Sequence, residues 1–316
     1  MRHLLLAIVV TAAFASSARA FEDFSGTRSL GMGGASRAWA IGDEGPLLNP
    51  SGMSLAKAYD VEAAYGYASA ANAPASLPAT SRLSDSFLHA SIVDSTSSYN
   101  LAGGLYYTYH TADRGGGLVA SGHEAGGALS LPFSEFFSLG ATIKYFKLED
   151  DDVVTGHGGG LTFDVGATVR PTSIVSLAVI GTNLRDLGNS QATQGIGYGV
   201  ALIPAPSLVI ALDGLTRLTP DNQTGRKGTS IMGGADLTIA ARFGVRAGGG
   251  YDAVTGNGYA TLGFSAISEL GAFDAGLRQD LLRSEVTPGV ERPRETVVGL
   301  SLRLFVPADQ TPPPPP

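Results

Sequence analysis

Few residues in this chain are equipped for chemistry. Gly31-Met32-Gly33-Gly34 has the glycine content of a phosphate-cradling loop. Such a loop needs a strand before it, a helix after it in a βαβ unit and a distant acidic partner. None is present, so the glycines read as a sharp backbone turn that packs closely on another surface. Asn49-Pro50 reads as a turn initiator, because Asn caps its own backbone and Pro fixes the next dihedral. Glu149-Asp150-Asp151-Asp152 offers hard oxygen ligands for a divalent cation. It lacks a calcium loop's central Gly and terminal Glu and reads as a solvated acidic loop. The five histidines (His3, His89, His110, His123 and His157) show no metal-ligand spacing. No GxSxG occurs, and no Ser pairs with a His and an acid at recognisable spacing. With no cysteine, disulfides, thiolate zinc sites, cysteine nucleophiles and lipid-modified cysteines all drop out. No cofactor, metal or chemical step is expected, and the chain reads as a non-enzyme.

The charged residues say more through their parity than through any motif. From residue 59 onward, apolar and polar residues alternate with period 2 in segments of roughly ten residues. In the first segment Tyr59, Val61, Ala63, Tyr65 and Tyr67 share one face, and Asp60 and Glu62 the other. The same logic puts Lys144, Asp164, Asp213, Asp236, Arg242, Arg246, Asp274, Arg278 and Arg303 opposite the large apolar residues. On a lipid-facing wall a charge near the bilayer midplane costs about 2–4 kcal/mol, so a membrane barrel must turn these residues inward. Roughly six acids and five bases then face one another, which suggests salt bridges across a crowded lumen rather than a selectivity ring.

About fourteen such segments occur. Tight links, as at 132–134, 171–172 and 204–207, alternate with longer ones, as at 70–85, 148–159, 252–257 and 279–294. Strict short/long alternation around an even number of strands marks an up-and-down antiparallel transmembrane β-barrel and has no cause in a Greek-key sandwich. Tyr59, Tyr67, Tyr99 and Tyr109 suit its aromatic girdles. No segment after the N-terminus has the roughly 20 apolar residues of a spanning helix.

Four regions follow. Residues 1–20 read as a signal peptide, with basic Arg2 and His3, an apolar core and a small-x-small site at Ala18-Arg19-Ala20, cleaved after Ala20. Residues 21–57 form an N-terminal hatch or plug without alternation, sitting inside the barrel of residues 58–306. Residues 307–316, PADQTPPPPP, form an extended tail. The acidic balance, 21 Lys+Arg against 28 Asp+Glu, and the lack of a basic patch exclude nucleic acid as a partner. Outer-membrane lipid is the expected surrounding.

Leu30-Gly31-Met32-Gly33-Gly34-Ala35, Gly42-Asp43-Glu44 and Asn49-Pro50-Ser51-Gly52 resemble the N-terminus of the outer-membrane barrels related to the fatty-acid transporter FadL and to PorV. The resemblance is specific over about 25 residues, where Ser51 replaces the family's usual Ala, and elsewhere covers architecture alone. It implies that residues 31–53, with Gly31, Met32, Gly33, Gly34, Asp43, Asn49 and Pro50, fold into the lumen as a hatch. FadL-like members pass hydrophobic compounds, so the resemblance implies passive uptake of a small hydrophobic ligand. PorV-like members are secretion adaptors, which leaves a non-conducting barrel with a secretion-machinery or periplasmic protein partner as the alternative. The external loops are polar or Pro-rich, unlike those of typical fatty-acid transporters, and do not favour a fatty acid as substrate.

Overall fold

The computed structural model describes residues 26–306 apart from 56, 72–82, 99, 114–118, 151–157, 188–191, 221–226, 283–284, 288–289 and 292–293. The expected signal peptide and tail, and Tyr99, His157 and Asp151-Asp152, lie outside the described residues.

The alternating segments form strands, and fourteen of them close into one antiparallel barrel. The first half comprises β1 (Tyr59–Ala71), β2 (Leu83–Asp94), β3 (Ala102–Asp113), β4 (Val119–Ser134), β5 (Phe137–Asp150), β6 (Gly158–Val169) and β7 (Val175–Thr182). The second half comprises β8 (Gly195–Ala205), β9 (Leu208–Arg217), β10 (Thr229–Ile239), β11 (Phe243–Asp252), β12 (Asn257–Ile267), β13 (Gly271–Leu282) and β16 (Arg294–Phe305). Two short strands, β14 (Glu285–Thr287) and β15 (Val290–Glu291), pair only with each other in the connection after β13. β1 pairs with β2 on one side and with β16 on the other, the latter running from Asp60↔Phe305 to Ala71↔Arg294. Closure leaves no barrel strand with an unpaired edge.

The two faces have the polarity that the parity predicts. Leu105, Leu212 and Leu262 point outward and are about 60% exposed, at 63%, 59% and 61%, whereas Asp274, Thr168 and Ser265 point inward with none. Tyr65, Tyr67, Tyr107, Tyr145, Tyr198 and Tyr251 also point outward, as girdle residues do. A soluble barrel hides its apolar face; this one presents it, which is the arrangement a lipid-facing wall requires.

Three sequence expectations need correction. Arg242 is exposed in the 240–242 turn between β10 and β11, not in the lumen. Ala240 and Ala241 both take left-handed φ, 51° and 55°, and the Arg242 N–H closes the turn on Ile239 O at 3.0 Å. The turn breaks the period there, so parity counted from β11 does not extend back to Arg242. The expected long connection at 252–257 is a four-residue turn, 253–256. Asp252 tightens it by accepting from Val254 N–H and Thr255 Oγ1, both at 2.9 Å. β3 begins at Ala102 rather than at residue 98.

Candidate functional site: the luminal hatch

The described residues before β1 form a compact, mostly buried segment inside the barrel. It runs through α1 (Thr27–Gly31), a 3-10 turn Arg37–Trp39, another at Gly42–Glu44, α2 (Gly45–Leu48) and a last 3-10 turn Pro50–Leu55. No stretch is long enough for a self-supporting helix, so the segment depends on the wall for its backbone partners.

The glycine run is the first anchor. Gly33 and Gly34 take left-handed φ of 72° and 85°. A Cβ on Gly33 would lie 2.6 Å from Gly249 N, and one on Gly31 would lie 2.9 Å from Gly263 Cα. From the other side, side chains at Gly234 and Gly248 would overlap the Met32 backbone. Glycine on both surfaces therefore lets two backbones touch. Wall hydroxyls fill the remaining acceptors: Tyr259 Oη donates to Gly33 O at 2.9 Å and Thr261 Oγ1 to Gly31 O at 3.0 Å.

Asn49-Pro50-Ser51 is the second anchor. Asn49 is fully buried, and its Nδ2 donates to Arg37 O and to Thr168 Oγ1 of β6, both at 2.9 Å. Its Oδ1 accepts from Ser51 Oγ at 2.7 Å, and Ser51 O accepts from Ser138 Oγ at 2.8 Å. Side chains at Gly140 or Gly166 would collide with this turn. Apolar packing supports both anchors: Met32, Ala35 and Ala38 lie on Ala178, Ala201 and Ala211, while Met53 packs with Val93.

Between the anchors the contacts are ionic. Arg37 Nη1 reaches Asp213 at 3.3 Å, and the same carboxylate accepts the Arg37 backbone N–H at 2.8 Å. Arg28 Nη2 lies 3.5 Å from Asp236. Arg246 joins Asp236 at 2.9 Å to Asp274 at 3.3 Å, and Arg303 joins Asp274 at 2.9 Å to Asp43 at 3.7 Å. Ser265 Oγ donates to Asp274 as well. Glu44 accepts the Ser29 N–H at 2.6 Å. Burial pushes the Glu44 carboxyl up to about 7, against the pull of Arg28. Burial opposes the Arg28 charge, but Glu44, Asp236 and Asp43 outweigh it and hold the guanidinium above its usual range.

The structure thus brings Gly31, Met32, Gly33, Gly34, Asp43, Asn49 and Pro50 into the lumen, with Asp60, Glu62, Asp236, Arg246 and Arg303 around them. Lys144 and Asp164 pair at 2.8 Å on β5 and β6. Arg278 stacks 4.0 Å over the Tyr259 ring and reaches Asp280 at 3.8 Å. Three contributors escaped sequence reasoning. Arg28 and Arg37 stand in a glycine-rich stretch without period, although two cations entering a lumen of acids were a usable signal. Glu124, which accepts from Tyr106 Oη at 2.5 Å, sits in a run of Gly and Ala where alternation is weak.

Two cavities flank the hatch. One of 70 Å³ lies toward the long-loop end, lined by Leu30, Arg37, Leu215, Met232, Tyr259 and Arg278 among others. One of 320 Å³ opens at the short-turn end, between Arg28, Ile41, Lys57, Asp60, Arg303 and Phe305. The hatch is a partition between two mouths.

No protein-family model and no curated protein matches the sequence. Solved structures do match. The toluene transporter TbuX of Ralstonia pickettii superposes with a TM-score of 0.66 at 12% identity, over 89% of this chain and 98% of that one. The fold is that of the FadL-like barrels. A FadL homologue of Pseudomonas aeruginosa gives 0.62 at 12% identity over 89% and 97%. The CymD monoaromatic hydrocarbon channel gives 0.63 at 12% over 89% and 99%. These likenesses support the FadL side of the expected resemblance at the level of fold; the PorV side is not shown.

Proposed function

We propose that this chain is an outer-membrane channel for passive uptake of small hydrophobic molecules, gated by its hatch. The observation that carries the reading is a barrel apolar outside and polar inside, divided by a hatch with a cavity at each face. The short-turn end would face the periplasm, as in other such barrels. TbuX is described as a toluene transporter and CymD as a monoaromatic hydrocarbon channel, and the shared fold supports a ligand of that kind here. The 70 Å³ cavity is room for a few water-sized groups, so a ligand of that kind and a long acyl chain alike would need the hatch to move. Leu30, Leu215, Met232 and the Tyr259 ring supply the cavity's apolar surface. Passage then requires the hatch to shift, since it is pinned to the wall at both anchors. Nothing is cleaved or formed on the way.

Native mass spectrometry with lipid extraction, on protein purified from outer membrane in mild detergent, tests the ligand. A bound apolar molecule, lost when hatch residues are replaced, supports uptake. A co-purifying protein with an empty lumen would turn the reading toward the adaptor. Deleting residues 27–53 should raise conductance in planar bilayers; unchanged conductance would overturn the hatch as a plug.

A further inference from the structure

We propose that a proton shared between Asp43 of the hatch and Glu62 of β1 latches the hatch to the barrel wall. Asp43 is 1% exposed, and neither of its carboxylate oxygens accepts a hydrogen bond. Its nearest cation, Arg303 Nη1, stands at 3.7 Å, beyond hydrogen-bond reach. Glu62, buried on β1 and opposite Arg303 in the β1–β16 register, presents its carboxyl to the same site. Two carboxylates are both acceptors and repel; one proton between them makes a short, charge-assisted O–H···O⁻ bond.

The surrounding charges favour such a proton. The hatch contributes Arg28, Asp43 and Glu44; the wall contributes Asp60 and Glu62 of β1, Asp236 of β10, Arg246 of β11, Asp274 of β13 and Arg303 of β16. Six carboxyls therefore face three guanidiniums, and His89 of β2 also faces Asp43. Even an imidazolium at His89 leaves two negative charges in excess, and burying unpaired charge is costly. Among the described residues no group of three His, Asp or Glu is arranged to hold a metal ion. A proton needs only the two oxygens that are present. Asp43 lies on the hatch and Glu62 on the wall, so losing this proton turns a bond between the two bodies into a repulsion.

The chain has no cysteine, so a single Ser36→Cys reports on the hatch without background. Its labelling by a membrane-impermeant maleimide is measured at about pH 5 and about pH 9, each rate relative to the urea-unfolded chain at the same pH. Labelling should be slow at the lower pH and roughly tenfold or more faster at the higher. In the same background Asp43→Asn and Glu62→Gln supply a donor that does not titrate, and both should label slowly at both pH values. Heat-modifiable migration confirms that each barrel has formed. Equal, slow labelling of the parent at both pH values would overturn the proposal, as would an unaltered pH response in the two variants. The latch requires only that the hatch occupy the lumen, so a failure of hydrocarbon uptake would leave it standing.

Discussion

At the residue scale, buried polar groups with long-range partners carry the specificity of the hatch. Asn49 joins the Arg37 carbonyl to Thr168 of the wall. Asn49→Ala would leave both without their donor, and should cost about 1–3 kcal/mol, read as a lower denaturant midpoint in detergent. Arg37→Ala should cost about 3 kcal/mol, because Asp213 would keep a buried charge without its guanidinium. Glu44 sets a pH dependence. Its carboxyl sits at about 7 in the folded protein against 4.5 ordinarily, so between those values the native state binds more protons than the unfolded one. Its contribution to stability is therefore present below pH 4.5 and lost as pH rises to about 7. Midpoints measured across that window should fall less steeply for Glu44→Gln than for the parent. Asp236, Arg246 and Arg303 in this cluster were legible from sequence, since their types and parity do not depend on distant contacts, whereas Asp43 entered only through the family resemblance. Their pairing was not, because no local pattern tells which acid on β10 or β13 meets which base on β11 or β16.

At the element scale, the hatch and the strands depend on each other for shape. The left-handed Gly33 lies on wall glycines that offer no side chain to collide with it, and Gly34, also left-handed, faces Met232. Gly33→Ala imposes both a strained φ and a backbone contact, and should destabilise the closed hatch by about 1–3 kcal/mol or more. In planar bilayers this should appear as more frequent open bursts, with the barrel still resistant to SDS at room temperature. The glycines of the wall looked in sequence like weak points in strands. Their purpose became visible only with Met32 and Asn49 lying on them. The turn at 240–242 shows the converse, where two alanines adopt a conformation that their types do not announce.

At the scale of the whole molecule, polarity decides the environment. Leu105 is 63% exposed on the outer wall, and Leu105→Arg should cost up to about 2–4 kcal/mol if it lies near the bilayer midplane. Urea unfolding from lipid vesicles would measure this, and an unchanged midpoint would argue that this face does not meet lipid. The hatch ties opposite sectors of the cylinder together: one anchor rests on β10–β12, the other on β4–β6. A barrel so bridged is held across its lumen as well as around its wall.

By itself the sequence determined the strand count, the two faces and the identity of the segment that does not alternate. Those properties are local: period 2 is written residue by residue, and the cost of a charge against lipid enforces it without reference to any partner. Only the tertiary structure decided which wall residues the hatch touches and which carboxyls are left without a cation. Tyr259 and Gly33 are 226 residues apart and Arg37 and Asp213 are 176 apart. Contacts of that separation arise only once closure of the barrel has brought the strands around the hatch.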